Sequence, residues 1–127
     1  MNKLIESRRF TEDDLDSFVD LSNDSALFHT SKNHAKSCGF EDRICHGVMS
    51  LMPVSKILGQ IMPGEGYVIL ELKAKFNKPI YPGKEIYYYP ELKSQNIELG
   101  LATVYIKWKD EFDQILGSTT AICKKIK

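Results

Sequence analysis

The sequence predicts an α+β fold in which an antiparallel β-sheet packs against one long apolar helix. Two observations lead to this prediction. From Gly47 to Leu58 apolar side chains occur on nearly every face of a helix, which indicates a buried helix. From Gly66 onward, runs of alternating apolar and polar residues are separated by turn residues, which is typical of an antiparallel meander. A sheet with one apolar face and a buried helix can cover each other.

The length and charge of the chain limit the classes of protein to which it can belong. Its 127 residues fit one domain, which we predict to span residues 1–127. The 17 basic side chains equal the 17 acidic ones, so no net charge favours a nucleic-acid partner. No stretch is apolar and long enough for a membrane span, and no secretory signal is visible. The three cysteines follow no pairing motif, so we expect free thiols and a cytoplasmic location.

The N-terminal third is predicted to be mainly helical, after a short strand within residues 3–10. Thr11 can cap a helix with its hydroxyl, and Asp14, three residues later, completes a capping-box pattern. This first helix should fade near Asn23, which leaves the following residues as far as His29 on a loop. A second, shorter helix is predicted over residues 32–38 and should end at a glycine.

The central helix and the later strands follow from the remaining pattern. Pro53 lies inside the apolar helix, cannot donate to the Met49 carbonyl, and is therefore expected to kink it. In the first long strand Val68, Leu70 and Leu72 alternate with polar residues, which indicates burial of one face. The four later strands are predicted over residues 68–76, 85–92, 98–109 and 114–125.

Asp24 and His29 are candidate catalytic residues. A carboxylate and an imidazole that both reach one water can act as an acid–base pair. Gly47 opens the buried helix, where the first N–H groups have no intrahelical partner and can stabilise a developing oxyanion. From these residues alone, a turn role for Asp24 and a surface position for His29 remain open.

Four short motifs follow one another along the chain: Asp24-x4-His29, Ile44-Cys45-His46-Gly47-Val48-Met49, Phe76-Asn77-Lys78-Pro79-Ile80 and Pro82-Gly83-Lys84-Glu85. In this order they resemble those of the MaoC-like (R)-specific enoyl-CoA hydratases and 3-hydroxyacyl dehydratases. The resemblance runs from about Phe10 to the C-terminus. One difference is that the family usually has Asn-Pro where this chain has Ala26-Leu27.

The resemblance implies a hotdog fold, in which the sheet is wrapped around the central helix. It also implies a hydro-lyase of fatty acid metabolism that hydrates trans-2-enoyl thioesters, or dehydrates (R)-3-hydroxyacyl thioesters, on coenzyme A or acyl carrier protein. Asp24 and His29 would act through one water, Gly47 would donate to the oxyanion, and Ser55 would contact substrate. The family needs no cofactor beyond the thioester carrier, and similar proteins are homodimers.

Two other functions remain open at this point. One is a hotdog thioesterase, and the other is a non-catalytic subunit that binds acyl thioesters. We expect no metal site, because His29, His34 and His46 match no known ligand spacing. Several lysines could meet carrier phosphates, although solvated strand faces explain them better: Lys73, Lys75, Lys78, Lys84, Lys124, Lys125 and Lys127.

Overall fold

The computed structural model describes residues 3–126, which form five strands, four α-helices and one 3₁₀ turn. The helical segments are α1 (Glu12–Ser22), α2 (Leu27–Thr30), α3 (Lys32–Ser37), the 3₁₀ turn (Gly47–Ser50) and α4 (Leu51–Gln60). The strands are β1 (Glu6–Arg9), β2 (Tyr67–Phe76), β3 (Glu85–Asn96), β4 (Leu101–Lys109) and β5 (Ile115–Lys125). None of the helices in this part of the chain is long and apolar enough to cross a membrane.

One antiparallel sheet holds all five strands in the order β1-β3-β4-β5-β2. Its inner face packs against the 3₁₀ turn and α4, as the sequence predicts. The shared core contains side chains from both layers, among them Met49, Val54, Ile57 and Leu58 from the helical side and Tyr88, Val104, Ile106 and Trp108 from the sheet. The strands β1 and β2 form the two edges, so each leaves one row of backbone groups unpaired.

The start of α1 agrees with the predicted capping box. The Asp14 N–H donates to the Thr11 hydroxyl at 3.0 Å, and the Thr11 N–H donates to the Asp14 carboxylate at 2.9 Å. The bond from the Thr11 backbone lowers the pKa of Asp14. These bonds satisfy two donors that would otherwise lack partners at the helix start.

The central helix differs from its prediction in two respects. It begins as a 3₁₀ turn, so Pro53 is the third residue of α4 instead of an interior residue. A first-turn residue has no intrahelical acceptor for its N–H, so proline fits there without breaking a hydrogen bond. The helix is also not buried all round, because Val48 and Met52 are 53% and 41% exposed on one side.

The alternating sequence of β2 predicted that one face would be buried along the strand. In the structure, most residues of β2 are exposed. Val68, Ile69 and Leu70 are all exposed, although neighbouring residues of a strand point to opposite faces. The pairing of β2 with β5 shifts register between Ile69 and Glu71, which marks a bulge. The sequence pattern reports which faces are apolar, but it does not report whether a strand lies at an edge.

Two strand boundaries also move relative to the prediction. The strand β3 continues to Asn96, and β4 begins at Leu101. Between them, residues 97–100 form a tight turn that ends at Gly100, whose φ is +67°. The predicted start of β4 at Glu98 was wrong because Glu98 belongs to this turn.

Candidate active site

The predicted catalytic residues lie between the end of α1 and the start of the 3₁₀ turn. Asp24 follows Asn23, the C-cap of α1, and lies on a loop as predicted. His29 lies in the one-turn helix α2, so its predicted loop position was wrong. No helix start is recognisable in the sequence there, because the N-cap residue, Ala26, has no side-chain acceptor.

The imidazole of His29 is held in one orientation through its Nδ1 atom. The Nδ1–H donates to the Ile44 carbonyl at 2.7 Å. The chain at Ile44 is itself fixed, because its N–H donates to the Phe28 carbonyl at 3.0 Å. A neutral imidazole that donates from Nδ1 keeps a free lone pair on Nε2. His29 can therefore accept a proton at Nε2 without losing its anchoring hydrogen bond.

The carboxylate of Asp24 is only partly used by its own loop. The Ala26 N–H donates to Oδ1 at 3.2 Å, which closes an Asx turn. The Asp24 side chain is 53% exposed. One carboxylate oxygen of Asp24 and one ring nitrogen from each of His29 and His46 lie within 4.8 Å of one another. One water can bridge such a gap, because two hydrogen bonds of about 2.8 Å together span more than this.

His46 packs directly against the predicted pair. It is 3% exposed, and its Nε2–H donates to the backbone carbonyl of Asp24 at 2.9 Å. Its ring stacks on the His29 ring, with centroids 3.7 Å apart and an interplanar angle of 19°. These contacts fix the segment before the 3₁₀ turn to the backbone of Asp24 and to the His29 ring.

Arg43 ties this region to α1, and sequence reasoning did not single it out. Its guanidinium contacts Asp16 at 2.7 Å and also forms an ion pair with Glu12. The same group donates to the His29 carbonyl at 3.2 Å. The hydrogen bond with Asp16 raises the pKa of Arg43, so its positive charge is secure. Its carboxylate partners are 27 and 31 residues away, and no local pattern signals such a contact.

Gly47 begins the 3₁₀ turn beside His46 and is exposed. Over residues 3–126 this N–H donates to no acceptor, as expected for the first residue of a helical segment. A Cβ at this position would lie 3.2 Å from Cδ1 of Phe76, so even alanine would crowd that ring. The site therefore combines an accessible donor with a backbone position that favours glycine.

The structure does not bring Ser55 to the predicted pair. Ser55 is exposed on α4, and its hydroxyl forms no hydrogen bond to another described residue. It lies about 14 Å along the helix axis from Gly47, given rises of about 2.0 and 1.5 Å per residue. Ser50, by contrast, is buried, and its hydroxyl donates to the Gly47 carbonyl at 2.5 Å.

Asp24, His29 and His46 lie close enough together to be considered as metal ligands. Each imidazole, however, already donates one N–H to a backbone carbonyl. The stacked rings also direct their remaining lone pairs along nearly parallel planes, and not toward one centre. A metal site needs lone pairs that converge on the ion at about 2.0–2.2 Å. The arrangement therefore suits proton transfer through water better than it suits metal binding.

The buried cysteines are not candidate nucleophiles. Cys45 is buried, and burial raises the pKa of its thiol to about 12. Burial raises the pKa of Cys123 as well. The thiolate is the reactive form, and little of it exists at neutral pH at either position. The chemistry of the site therefore depends on the carboxylate, the imidazole and the backbone N–H.

The candidate phosphate-binding lysines do not form one cluster. Lys78 and Lys84 border a cavity of about 420 Å³ between the β2–β3 and β4–β5 connections. The same cavity is bordered by four carboxylates, those of Glu41, Glu85, Asp110 and Glu111. This excess of negative charge disfavours a phosphate there. Lys73, Lys75, Lys124 and Lys125 lie on β2 and β5, and Lys127 lies outside the described residues.

Comparison with known proteins identifies relatives of the chain. The family described as MaoC like domain matches residues 3–106. The (R)-specific enoyl-CoA hydratase of Aeromonas caviae is 30% identical over 98 residues, which cover 77% of this chain and 73% of that protein. The mitochondrial 3-hydroxyacyl-[acyl-carrier-protein] dehydratase of Arabidopsis thaliana is 32% identical over 83 residues, or 65% of this chain and 49% of that protein.

A third relative is the (R)-specific enoyl-CoA hydratase of Rhodospirillum rubrum, which is 30% identical over 80 residues. That alignment covers 63% of this chain and 56% of the relative. The chain therefore spans about half the length of the Rhodospirillum and Arabidopsis proteins.

Solved structures share the fold over almost the whole chain. The (R)-hydratase of A. caviae involved in PHA biosynthesis superposes with a TM-score of 0.89 at 25% identity, covering 98% of this chain and 94% of that one. The ChsH1–ChsH2 complex of Mycobacterium tuberculosis gives a TM-score of 0.83 at 14% identity, with 98% and 96% coverage. The predicted hotdog fold is thereby confirmed.

Proposed function

The chain belongs to the MaoC like domain family, and from this premise we propose that it interconverts trans-2-enoyl thioesters and (R)-3-hydroxyacyl thioesters. The observation that carries the proposal is the grouping of an Asp24 oxygen and a His29 nitrogen within 4.8 Å. The Gly47 N–H, which has no acceptor within residues 3–126, adds the third catalytic group. Relatives named as (R)-specific enoyl-CoA hydratases support the same activity.

Each group has a defined task in the proposed reaction. Asp24 and His29 hold one water, and one of the two takes a proton as the water oxygen attacks C3 of the enoyl group. The electron pair of the double bond moves toward the thioester oxygen, where the Gly47 N–H stabilises the negative charge. The proton taken from the water is then delivered to C2, which returns both side chains to their starting protonation states. Dehydration is the same sequence in reverse.

The thioester carrier supplies the only activation that this chemistry needs, and we propose either coenzyme A or acyl carrier protein as that carrier. A protein of this activity belongs in fatty acid metabolism. We also propose a cytoplasmic location on the basis of the three free cysteines, Cys38, Cys45 and Cys123. Ser55 remains a proposed substrate contact, because it shares an exposed side of the helix with Val48 and Met52.

We further propose that two copies of the chain form a homodimer along β2. This edge strand has 10 residues and exposes Val68, Ile69 and Leu70 beside its unpaired backbone groups. A long apolar edge favours pairing with another strand. The other edge, β1, has only 4 residues and carries Arg8 and Arg9, which disfavour such pairing. The exposed side of the central helix offers further apolar surface.

A second candidate is a subunit that binds acyl thioesters without catalysing a reaction. It is favoured by Ala26-Leu27, because similar hydratases have Asn-Pro before the histidine. Some structures with this fold come from complexes of two different chains, among them ChsH1–ChsH2 and HadBC of M. tuberculosis. A thioesterase is the third alternative, in which Asp24 would direct water to the thioester carbon.

Incubation with crotonyl-CoA distinguishes the three functions. A hydratase removes the enoyl absorbance without releasing free thiol, and a dehydrogenase specific for (R)-3-hydroxyacyl-CoA then consumes the product. A thioesterase releases thiol in proportion to substrate lost. If neither change occurs with crotonyl-CoA or with the crotonyl thioester of acyl carrier protein, the proposed activity is contradicted and the binding role is favoured.

A further inference from the structure

We propose that His46 is a positioning residue that sets the geometry between Asp24, His29 and the Gly47 N–H. This inference rests on the proposed function, because it concerns the catalytic geometry of that site. In this role His46 neither transfers a proton nor contacts the substrate. Its role is argued from three separate contacts, one with each member of the site.

The first contact fixes the backbone that carries the Asp24 carboxylate. The Nε2–H of His46 donates to the Asp24 carbonyl at 2.9 Å from a ring that is 3% exposed. A hydrogen bond from such a dry ring is stronger than one in water. The other hydrogen bonds of Asp24 are local, because its N–H donates to the Ser22 hydroxyl at 3.0 Å and its Oδ1 accepts the Ala26 N–H at 3.2 Å. The bond from His46 therefore fixes the Asp24 backbone relative to the start of the 3₁₀ turn.

The second contact limits the orientation of the His29 ring. The His46 ring stacks on the His29 ring, with centroids 3.7 Å apart and an interplanar angle of 19°. It also contacts the Phe18 ring, with centroids 4.7 Å apart and an interplanar angle of 54°. Phe18 belongs to α1, so these ring contacts hold the His29 imidazole in a fixed position relative to that helix. Together with the Nδ1–H bond to Ile44, the stack leaves the ring little freedom to rotate and aims Nε2 in one direction.

The third contact runs along the chain to the proposed oxyanion donor. His46 is the N-cap of the 3₁₀ turn, and its carbonyl accepts the Met49 N–H at 2.9 Å. A displacement of His46 would therefore move the Gly47 N–H, which belongs to the next residue. One buried side chain thus connects the three groups that must meet at one substrate.

The second ring nitrogen of His46, Nδ1, bears on whether the residue serves only to fill space in the core. Its Nδ1 is buried and has no hydrogen-bond partner among the described residues. A buried nitrogen without a partner destabilises the fold, and phenylalanine would fill the same space without that penalty. What the histidine ring supplies and phenylalanine would not is the N–H that donates to the Asp24 carbonyl.

Two variants separate the two functions of the ring. His46→Gln keeps an N–H near the position of Nε2 but removes the aromatic stack. His46→Phe keeps the stack but removes the donor. His34→Gln is the matched control, because His34 is half-buried and packs against Phe28, away from the Asp24 carboxylate. The measurements are kcat and KM on crotonyl-CoA, the melting temperature, and the imidazole ¹⁵N and ¹H resonances of His29.

We expect kcat to fall by about 10- to 100-fold in both His46 variants, because small misplacements of reacting groups have effects of this size. KM should stay within about twofold, since the carrier contacts are untouched. The His29 resonances should shift in both variants and remain unchanged in His34→Gln. A merely structural role would instead lower the melting temperature in step with kcat.

The NMR readout keeps this proposal separate from the proposed function, because it needs no turnover. If wild type shows no activity on enoyl thioesters, displaced His29 resonances in His46→Phe, which keeps an aromatic ring beside His29, still support positioning. If one variant does not fold, the other decides the question. His29 resonances that overlay on those of wild type, or a wild-type kcat in a folded His46 variant, would overturn the proposal.

Discussion

Gly47 is proposed to act through its backbone N–H, which would stabilise the oxyanion. We predict that Gly47→Pro lowers kcat by about 10²–10³, because proline removes the proposed oxyanion donor. Proline fits the geometry, since it is tolerated in a first helical turn and His46 has φ −58° and ψ 135°, which suit a residue before proline. The measurement is kcat on crotonyl-CoA beside the melting temperature.

Gly47→Ala is the matched control, because alanine keeps the N–H. Its Cβ would approach Cδ1 of Phe76 to 3.2 Å, so some loss of stability is expected in this variant as well. The half-exposed Phe76 ring has room to give way. Equal kcat in the proline and alanine variants would remove Gly47 from the mechanism.

At the residue scale, sequence reasoning located the candidate site through residue type and short spacing. Asp24, His29 and Gly47 all lie within 24 residues of chain, so one local pattern contains them. The contacts of Arg43 and of the His46 ring with other elements were not visible in this way. Both depend on contacts with α1, which only the fold brings alongside.

Among the elements, α2 has the weakest start, because its N-cap Ala26 makes no side-chain bond. We predict that the double substitution Ala26→Asn, Leu27→Pro stabilises the fold by about 1 kcal/mol. Asparagine can cap the helix with its side chain, and proline fixes φ of the first helical residue. The backbone of Ala26, at φ −52° and ψ 144°, already suits a residue before proline. Chemical denaturation measures the change.

Ser31→Ala supplies the opposite control for this prediction. Ser31 caps α3 by accepting the His34 N–H at 3.1 Å, so its loss should destabilise by about 1 kcal/mol. If the Asn-Pro variant were less stable than wild type, the loop would be shaped by contacts other than the caps of α2.

The elements that the sequence predicted well are those with a local start or stop signal. The capping box placed α1, and the turn before β5 was placed by residues 110–113. The 3₁₀ start of the central helix was not predicted, because its pattern of apolar residues fits either helix type. Pro53 was misread for that reason, and the exposure of β2 was missed because edge position depends on strand order.

For the whole molecule, the exposed edge β2 predicts self-association. Leu70→Lys should convert the proposed dimer to a monomer, because a charge on an edge strand opposes pairing with another strand. Leu99→Lys is the control, since Leu99 is 56% exposed in a turn and Leu70 is 58% exposed. Light scattering after gel filtration gives the mass of each variant. A wild-type monomer, or a Leu70→Lys dimer, would contradict the proposed interface.

The described residues share one hydrophobic core, which includes side chains from α1, the central helix and three strands, with Tyr67 and Leu72 of β2 packed against it. A single domain over residues 1–127 stays a proposal. The chain has no net charge, but its charged side chains are not evenly distributed, because α1 carries three acidic residues in its first turn. Charge balance over the chain therefore says little about the local field at the site.

The central claim is that Asp24 and His29 act through one water, and kcat/KM of Asp24→Asn and His29→Asn on crotonyl-CoA tests it most directly. Asparagine at position 24 keeps the Asx-turn acceptor, and asparagine at position 29 can keep the bond to Ile44. We predict a loss of about 10²–10⁴ in each single variant, with an unchanged melting temperature. The double variant should be little worse than either single one, because the two residues share one water. Near-wild-type turnover in either single variant would contradict the claim.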